Sequence, residues 1–100
     1  MISIIGRLNI NPTVMESYAK DVKALSEKVV VEDGCHYYSL VVEDAEKGVV
    51  SIAEVWRDEP ALFVHWGQPW VADFMKKYGA EVTGSTLKMY DASNERDLPG

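Results

Sequence analysis

The spacing of apolar residues changes from a strand pattern to a helix pattern near residue 11. Apolar residues fall on alternate positions from Ile2 to Ile10, which predicts a strand with one strongly apolar face. Asn11-Pro12-Thr13 then predicts the start of a helix. Either Asn11 caps it with Pro12 in the first turn, or Thr13 and Glu16 form a capping box. Apolar residues follow at spacings of three and four, at Val14, Tyr18, Val22, Leu25 and Val29.

The next segments predict a hairpin and a short helix. Glu32-Asp33-Gly34 ends the first helix, and the stretch from Cys35 to Glu43 is rich in Tyr, Val and Leu, as is typical of strands. A polar turn separates it from a third strand, Val49 to Trp56. Asp58 is a plausible cap for a short helix that runs through Trp66.

The last third of the chain predicts another helical piece and a final strand. Gly67-Gln68-Pro69 interrupts the short helix, and Trp70 to Tyr78 forms a second piece, closed by Gly79. Ser85 to Asp91 predicts the last strand. The polar residues 92–100 form a tail, so one domain is expected over residues 1–91.

This order of elements predicts an α+β, ferredoxin-like βαββαβ domain with a four-stranded antiparallel sheet. The helices can cover only one face of that sheet. The other face is too apolar to stand in water, and a second copy packed sheet against sheet is its simplest cover. We therefore expect a homodimer, a dimeric α+β barrel, whose interface includes Ile5, Tyr37, Val41, Val49, Ala53 and Val55.

Charge and cysteine content exclude several classes of partner. The net charge of -6 argues against binding to nucleic acid or to an anionic membrane, because both would repel the surface. The single cysteine, Cys35, rules out an internal disulfide and suits a reducing compartment. No apolar stretch reaches membrane-spanning length, and the start lacks a signal-like pattern, so we expect a cytoplasmic protein.

The segment Glu54-Val55-Trp56 places an acid and an indole on the same face of a strand, because strand side chains alternate. His65 follows on the next helix. Glu54, Trp56 and His65 are therefore the candidate catalytic residues, with His65 or Glu54 as the base. The alternatives are structural: Trp56 as core packing, Glu54 as a carboxylate paired with a helix cation, and His65 as a histidine at the surface or core edge.

Other residues are candidates for substrate binding. Trp66, Trp70 and Phe74 lie around the helix break and could hold a flat ring over a pocket, although such a group is also typical of packing. Tyr38 could point inward from the second strand. Gly6 would leave room for a ligand beside the sheet.

A series of short patterns runs along about residues 1 to 91, namely Ile4-x-x-x-Leu8, Glu32-Asp33-Gly34-Cys35, Glu54-Val55-Trp56, Ala61-Leu62, His65, Pro69, Phe74 and Leu87-Lys88-Met89-Tyr90. In their order and spacing the chain resembles the antibiotic biosynthesis monooxygenase family. That resemblance implies a dimeric ferredoxin-like domain with a pocket between sheet and helices. It also implies activities that include cofactor-free oxygenation of quinols or anthrones, haem degradation and isomerisation of small signalling molecules.

The residues reduce that range of activities. No glycine-rich phosphate loop is present, and two histidines and one cysteine offer no metal-ligand pattern, so we expect no cofactor and no metal. By the resemblance, haem-degrading members use an Asn, a Trp and a His at the positions of Gly6, Trp56 and Met75. Only the Trp is present in this chain, so haem iron would lack a histidine ligand.

The resulting prediction is a cofactor-independent monooxygenase that oxidises a small aromatic polyol or quinol with dioxygen. Such a substrate supplies its own electrons once a base has removed a proton. A non-catalytic dimeric module that binds a small molecule, and an isomerase of the same family, remain alternatives.

Overall fold

The computed structural model describes residues 1–100 and contains five strands and three α-helices. The order is that of the predicted fold, with the last strand in two parts. The elements are β1 (Ile2–Ile10), α1 (Met15–Val29), β2 (Cys35–Asp44), β3 (Val49–Trp56), α2 (Glu59–Trp66), α3 (Pro69–Tyr78), β4 (Val82–Ser85) and β5 (Lys88–Asp91).

The strands form one antiparallel sheet in the order β2-β3-β1-β4, and β5 also pairs with β1. This is the strand order of the ferredoxin-like fold, which confirms the predicted fold class. None of the helices combines the length and the apolar character that a membrane crossing requires.

The ends of the helices follow the predicted signals. Asn11 is the residue that caps the first turn: its side-chain oxygen accepts from the Thr13 amide at 3.1 Å, and Pro12 follows it. Asp58 caps α2 by accepting from the Ala61 amide at 2.9 Å. The chain then breaks at Gly67 and Gln68 before α3 begins, so α2 and α3 can approach the sheet separately.

The prediction of one final strand from Ser85 to Asp91 is wrong, because Thr86 and Leu87 interrupt it. The Thr86 amide donates to the Arg7 carbonyl at 2.9 Å, so the interruption lies directly against β1. Gly6 permits this approach, since a Cβ there would lie 2.6 Å from the Thr86 carbonyl oxygen. The space beside Gly6, expected to take a ligand, is therefore filled by the chain's own backbone.

The helices cover one face of the sheet and bury the core in two clusters. One lies around Trp56, Leu62 and Val29, and the other around Tyr18, Ile10 and Val50. In each cluster the strand residues lie at alternate positions, and the α1 residues lie three or four positions apart. These spacings place side chains on one face of a strand or of a helix. Phe74 and Leu87 pack against both clusters, and they also line the space that remains between sheet and helices.

The opposite face of the sheet carries apolar side chains that nothing in the chain covers. Ile5, Tyr37 and Val41 remain 52%, 56% and 54% exposed. They form one patch across three strands, because Tyr37 pairs with Val55, and Ile5 pairs with Ala53. A patch of this kind on an isolated chain is typical of an interaction surface.

The tail is attached at its first residue. Ala92 exchanges backbone hydrogen bonds with Met1, its amide donating to the Met1 carbonyl at 2.9 Å and its carbonyl accepting from the Met1 amino group at 3.0 Å. Residues 93–100 have no helix or strand. A boundary between a domain over residues 1–91 and a tail over residues 92–100 stays a prediction.

We propose that the uncovered face packs against a second copy of the chain. Val41→Lys should then convert a dimer of twice the 11.2 kDa chain mass into a monomer, because a lysine there would be desolvated without a partner. Light scattering after size exclusion measures the mass. Val31→Lys is the matched control, since Val31 is exposed in a turn away from the sheet. A monomeric unmodified protein at micromolar concentration would contradict the proposal.

Candidate active site

A cavity of about 610 Å³ lies between the helix-covered face of the sheet and the three helices. Of its 17 lining residues, 14 are hydrophobic, and none is a lysine, arginine, aspartate or cysteine. Its size is that of a site for a small organic ligand. The lining consists of Leu8, Ile10, Tyr18, Leu25, Tyr38, Leu40, Ile52, Glu54, His65, Trp66, Val71, Phe74, Met75, Tyr78, Gly79, Val82 and Leu87.

Glu54 lines the cavity from β3. Its carboxylate accepts a hydrogen bond from the indole Nε1–H of Trp56 at 2.9 Å. The bond joins residues two apart on one strand, whose side chains project to the same face. Trp56 itself is fully buried and does not line the cavity. It holds the Glu54 carboxylate from behind.

His65 is buried, with 4% of its surface exposed, and lines the same cavity from α2. Its ring lies over the Trp56 indole, with ring centroids 4.5 Å apart and planes inclined by 32°. The Tyr38 ring lies edge to face with it, with ring centroids 5.8 Å apart. Trp56 therefore contacts both the acid and the imidazole, and these two side chains and Tyr38 all line the same cavity.

A second carboxylate, which does not line the cavity, contacts His65. Nδ1 of His65 lies 2.9 Å from Oε2 of Glu32, whose side chain is only 5% exposed. The indole Nε1–H of Trp70 donates to the same oxygen at 3.1 Å. Glu32 lines a small separate crevice at the surface rather than the cavity.

The three aromatic residues around the helix break have different places. Phe74 lines the cavity and packs against Tyr18 and Tyr78, with ring centroids 5.3 and 4.9 Å away. Trp66 lines its edge, is 51% exposed, and packs on Phe63. Trp70 does not line the cavity: it borders a surface groove, where the Lys28 ammonium lies 5.9 Å from its ring centroid.

Comparison with known proteins assigns the family. The family model for antibiotic biosynthesis monooxygenase matches residues 1–77. The chain belongs to this family. It is 28% identical over 76 residues to the uncharacterized protein sll1783 of Synechocystis sp., a match that covers 76% of this chain and 52% of that protein. The chain thus spans about half the length of that curated relative.

Solved structures share the fold. A provisionally assigned antibiotic biosynthesis monooxygenase of Deinococcus radiodurans superposes with a TM-score of 0.82 at 21% identity, over 100% of both chains. Rv0793 of Mycobacterium tuberculosis superposes with a TM-score of 0.80 at 24% identity, over 96% of this chain and 98% of that one. At these identities the likeness concerns the fold alone.

Most of the site residues that the sequence predicted lie in the cavity, but the sequence did not indicate the contact of Glu32 with His65. The cavity contains Glu54, His65, Tyr38, Trp66 and Phe74 of the predicted site residues. Trp56 contacts Glu54 and His65 but does not line the cavity, and neither do Gly6 and Trp70. Glu32 had only the pattern of a helix-ending turn residue, and its partner His65 is 33 residues away.

Burial changes the acid-base behaviour of the cavity side chains. Burial raises the pKa of Glu54 above its ordinary value, and nearby Glu32 adds to this, while the hydrogen bond from Trp56 and the electrostatic interaction with His65 lower it by less. Burial also raises the pKa of Tyr18 to about 12 and that of Tyr38 further. These two phenols are therefore neutral near pH 7 and serve as hydrogen-bonding groups, not as bases.

The side chains that commonly bind metal ions do not form a cluster in this structure. No three side chains among His, Cys, Asp and Glu come together in an arrangement that could hold a metal ion. The groups that the cavity itself offers for chemistry are an acid, an imidazole and phenol hydroxyls.

The raised pKa of Glu54 predicts a specific pH dependence of stability. The folded protein holds the Glu54 proton more tightly than the unfolded chain does, so the stability that this proton contributes should be lost as pH rises from 4.5, the ordinary value, through the raised pKa. Glu54→Gln has no such proton. The difference in unfolding free energy, wild type minus Glu54→Gln, should therefore fall over this range in urea titrations.

The exposed Glu46→Gln is the control for the loss of a carboxylate outside the cavity. If the wild type's advantage over Glu54→Gln increased with pH, the assigned direction of the Glu54 shift would be wrong.

Proposed function

We propose that the chain is a cofactor-independent monooxygenase that oxidises a small, uncharged aromatic polyol or quinol with dioxygen. The observation that carries the proposal is the cavity, in which a carboxyl group and an imidazole share a lining that is otherwise made of apolar side chains, three tyrosines and a glycine. An apolar lining excludes water and strengthens interactions with a developing anion.

The proposed reaction begins with removal of a substrate proton by His65. Imidazole is a base that works near neutral pH, and His65 is held in place while it lines the cavity. Glu54, which binds a proton more readily than an exposed carboxyl group, hydrogen-bonds a substrate hydroxyl. Tyr38 and Tyr18 contribute neutral hydroxyl groups.

The substrate supplies the electrons for oxygen. Its anion transfers one electron to dioxygen, and the resulting radical pair combines to form a carbon–oxygen bond and a peroxide. The peroxide takes up the proton held by the site, and elimination of water leaves a carbonyl. In balance, one substrate and one O₂ give one oxygenated product and one water, with two substrate hydrogens replaced by one oxygen.

The charge of the cavity supports an uncharged substrate. No lysine or arginine lines it, so an anionic group would lose its hydration without gaining a cationic partner. The carboxyl group of Glu54 in the lining and that of Glu32 behind His65 would add repulsion. A neutral hydroxylated ring meets neither cost.

The chemistry is tested by oxygen consumption with a panel of hydroquinones and anthrones. We expect the wild type to exceed the uncatalysed rate for at least one compound, and His65→Ala to lower kcat by about 10²–10⁴-fold, the usual contribution of a general base. His36→Ala is the matched control, because His36 is an exposed histidine on β2. No consumption above background across the panel would refute the proposal.

The charge preference is tested with one compound in two forms. A neutral quinol should bind and turn over, whereas the same quinol carrying a carboxylate or sulfonate should bind at least tenfold more weakly, since 1.4 kcal/mol of unpaired desolvation is enough for that factor. Isothermal titration measures the affinities in the absence of oxygen. Equal affinity for both forms would contradict an uncharged substrate.

Two further functions use the same cavity. An isomerase also begins with proton removal, so product analysis without oxygen uptake would favour it. A binding module would retain affinity in His65→Ala and Glu54→Gln and show no turnover with any compound. The acid and imidazole buried together favour catalysis, because a site that only binds an apolar ring gains nothing from desolvating a carboxyl group.

A further inference from the structure

Glu32 is a buried carboxylate that the proposed reaction does not yet use. It lies between α1 and β2 and is 95% buried, and its Oε2 is approached by two nitrogens: His65 Nδ1 at 2.9 Å and Trp70 Nε1 at 3.1 Å. A carboxylate is costly to bury, and an apolar residue could fill the same space. Its contacts with these two nitrogens therefore call for a role.

The Trp70 contact defines what Oε2 does. An indole nitrogen can only donate, so Oε2 accepts there. A carboxylate oxygen carries lone pairs only, so it is matched by a proton on Nδ1, 2.9 Å away. A neutral imidazole with its proton on Nδ1 has its lone pair on Nε2.

We propose that Glu32 is a positioning residue that holds His65 in the Nδ1–H tautomer, with Nε2 as the nitrogen available to the cavity. Glu32 does not line the cavity and touches no substrate there. It acts on the opposite edge of the imidazole. The inference rests on the proposed function for its catalytic consequence, but the tautomer itself can be measured without any substrate.

Two contacts together hold the ring in one orientation. The Trp56 indole packs on the face of the imidazole, which restricts tilting. The Glu32 hydrogen bond restricts rotation within the ring plane and distinguishes the two nitrogens. Trp70 in turn holds the Glu32 carboxylate from the surface side. Carboxylate–imidazole pairs act in this way when a histidine must present one particular nitrogen.

The test is the tautomer of His65 in the full chain labelled with ¹⁵N-histidine. Long-range ¹H–¹⁵N correlation spectra at alkaline pH distinguish the protonated nitrogen from the one with a lone pair, and His36→Ala assigns the two histidines. We expect Nδ1–H in the wild type. An Nε2–H tautomer, or a ring that remains protonated on both nitrogens, would overturn the proposal, because neither leaves Nε2 free.

Glu32→Leu tests the cause. It fills a similar space but offers no acceptor, so the ring should change to the Nε2–H form, the one that a free imidazole favours. Glu32→Gln should keep Nδ1–H, because its carbonyl oxygen can take the place of Oε2, where Trp70 can only donate. Trp70→Phe, which removes only the indole donor, should also keep it. A folded Glu32→Leu with the wild-type tautomer would overturn the proposal, and so would loss of Nδ1–H in Glu32→Gln.

Kinetics separate this inference from the proposed function. With a substrate that the wild type oxidises, Glu32→Leu should lower kcat by about 10²–10⁴-fold with little change in KM, because Glu32 does not line the cavity. A changed tautomer with an unchanged kcat would refute the positioning role and leave the proposed function intact. Absence of any oxidation by the wild type would refute the proposed function, while the tautomer measurement would still decide the position of the proton.

Discussion

The arrangement of the site depends on the buried indole of Trp56. Its N–H bonds the Glu54 carboxylate at 2.9 Å, and its face packs on the His65 ring at 4.5 Å. The same side chain is fully buried in the core cluster between the sheet and α2. One residue thus joins the packing of the domain to the relative position of a carboxyl group and an imidazole, because a large aromatic ring offers both apolar area and one directed donor.

Two carboxylates near one imidazole have different environments. Glu54 lies in the cavity, where burial raises its pKa and only one N–H donor compensates it. Glu32 lies outside the cavity, where the Trp70 N–H donates to one of its oxygens and Nδ1 of His65 lies 2.9 Å from the same oxygen. The first carboxyl group is placed to meet a substrate, and the second is placed to orient a histidine. The difference is one of surroundings, not of residue type.

The sheet is apolar on both faces, and each face has its own use. The covered face forms two core clusters with the cavity beside them. The uncovered face presents Ile5, Tyr37 and Val41 in one patch, which suits contact with a second copy. Gly6 belongs to the organisation of the sheet rather than to ligand binding, since it admits the backbone of Thr86 where the last strand is interrupted.

The amino-acid pattern alone determined most of the elements, the fold class, the apolar second face and the shared face of Glu54 and Trp56. These follow from local rules, namely the period of strands and helices and the chemistry of caps, and local rules can be read along a chain. Only the tertiary structure decided that Glu32 meets His65, that Trp70 lies outside the cavity, and that the last strand splits against Gly6. Each of these depends on contacts between residues distant in sequence, whose distances are set by the packing of helices on the sheet and not by the spacing of residues along the chain.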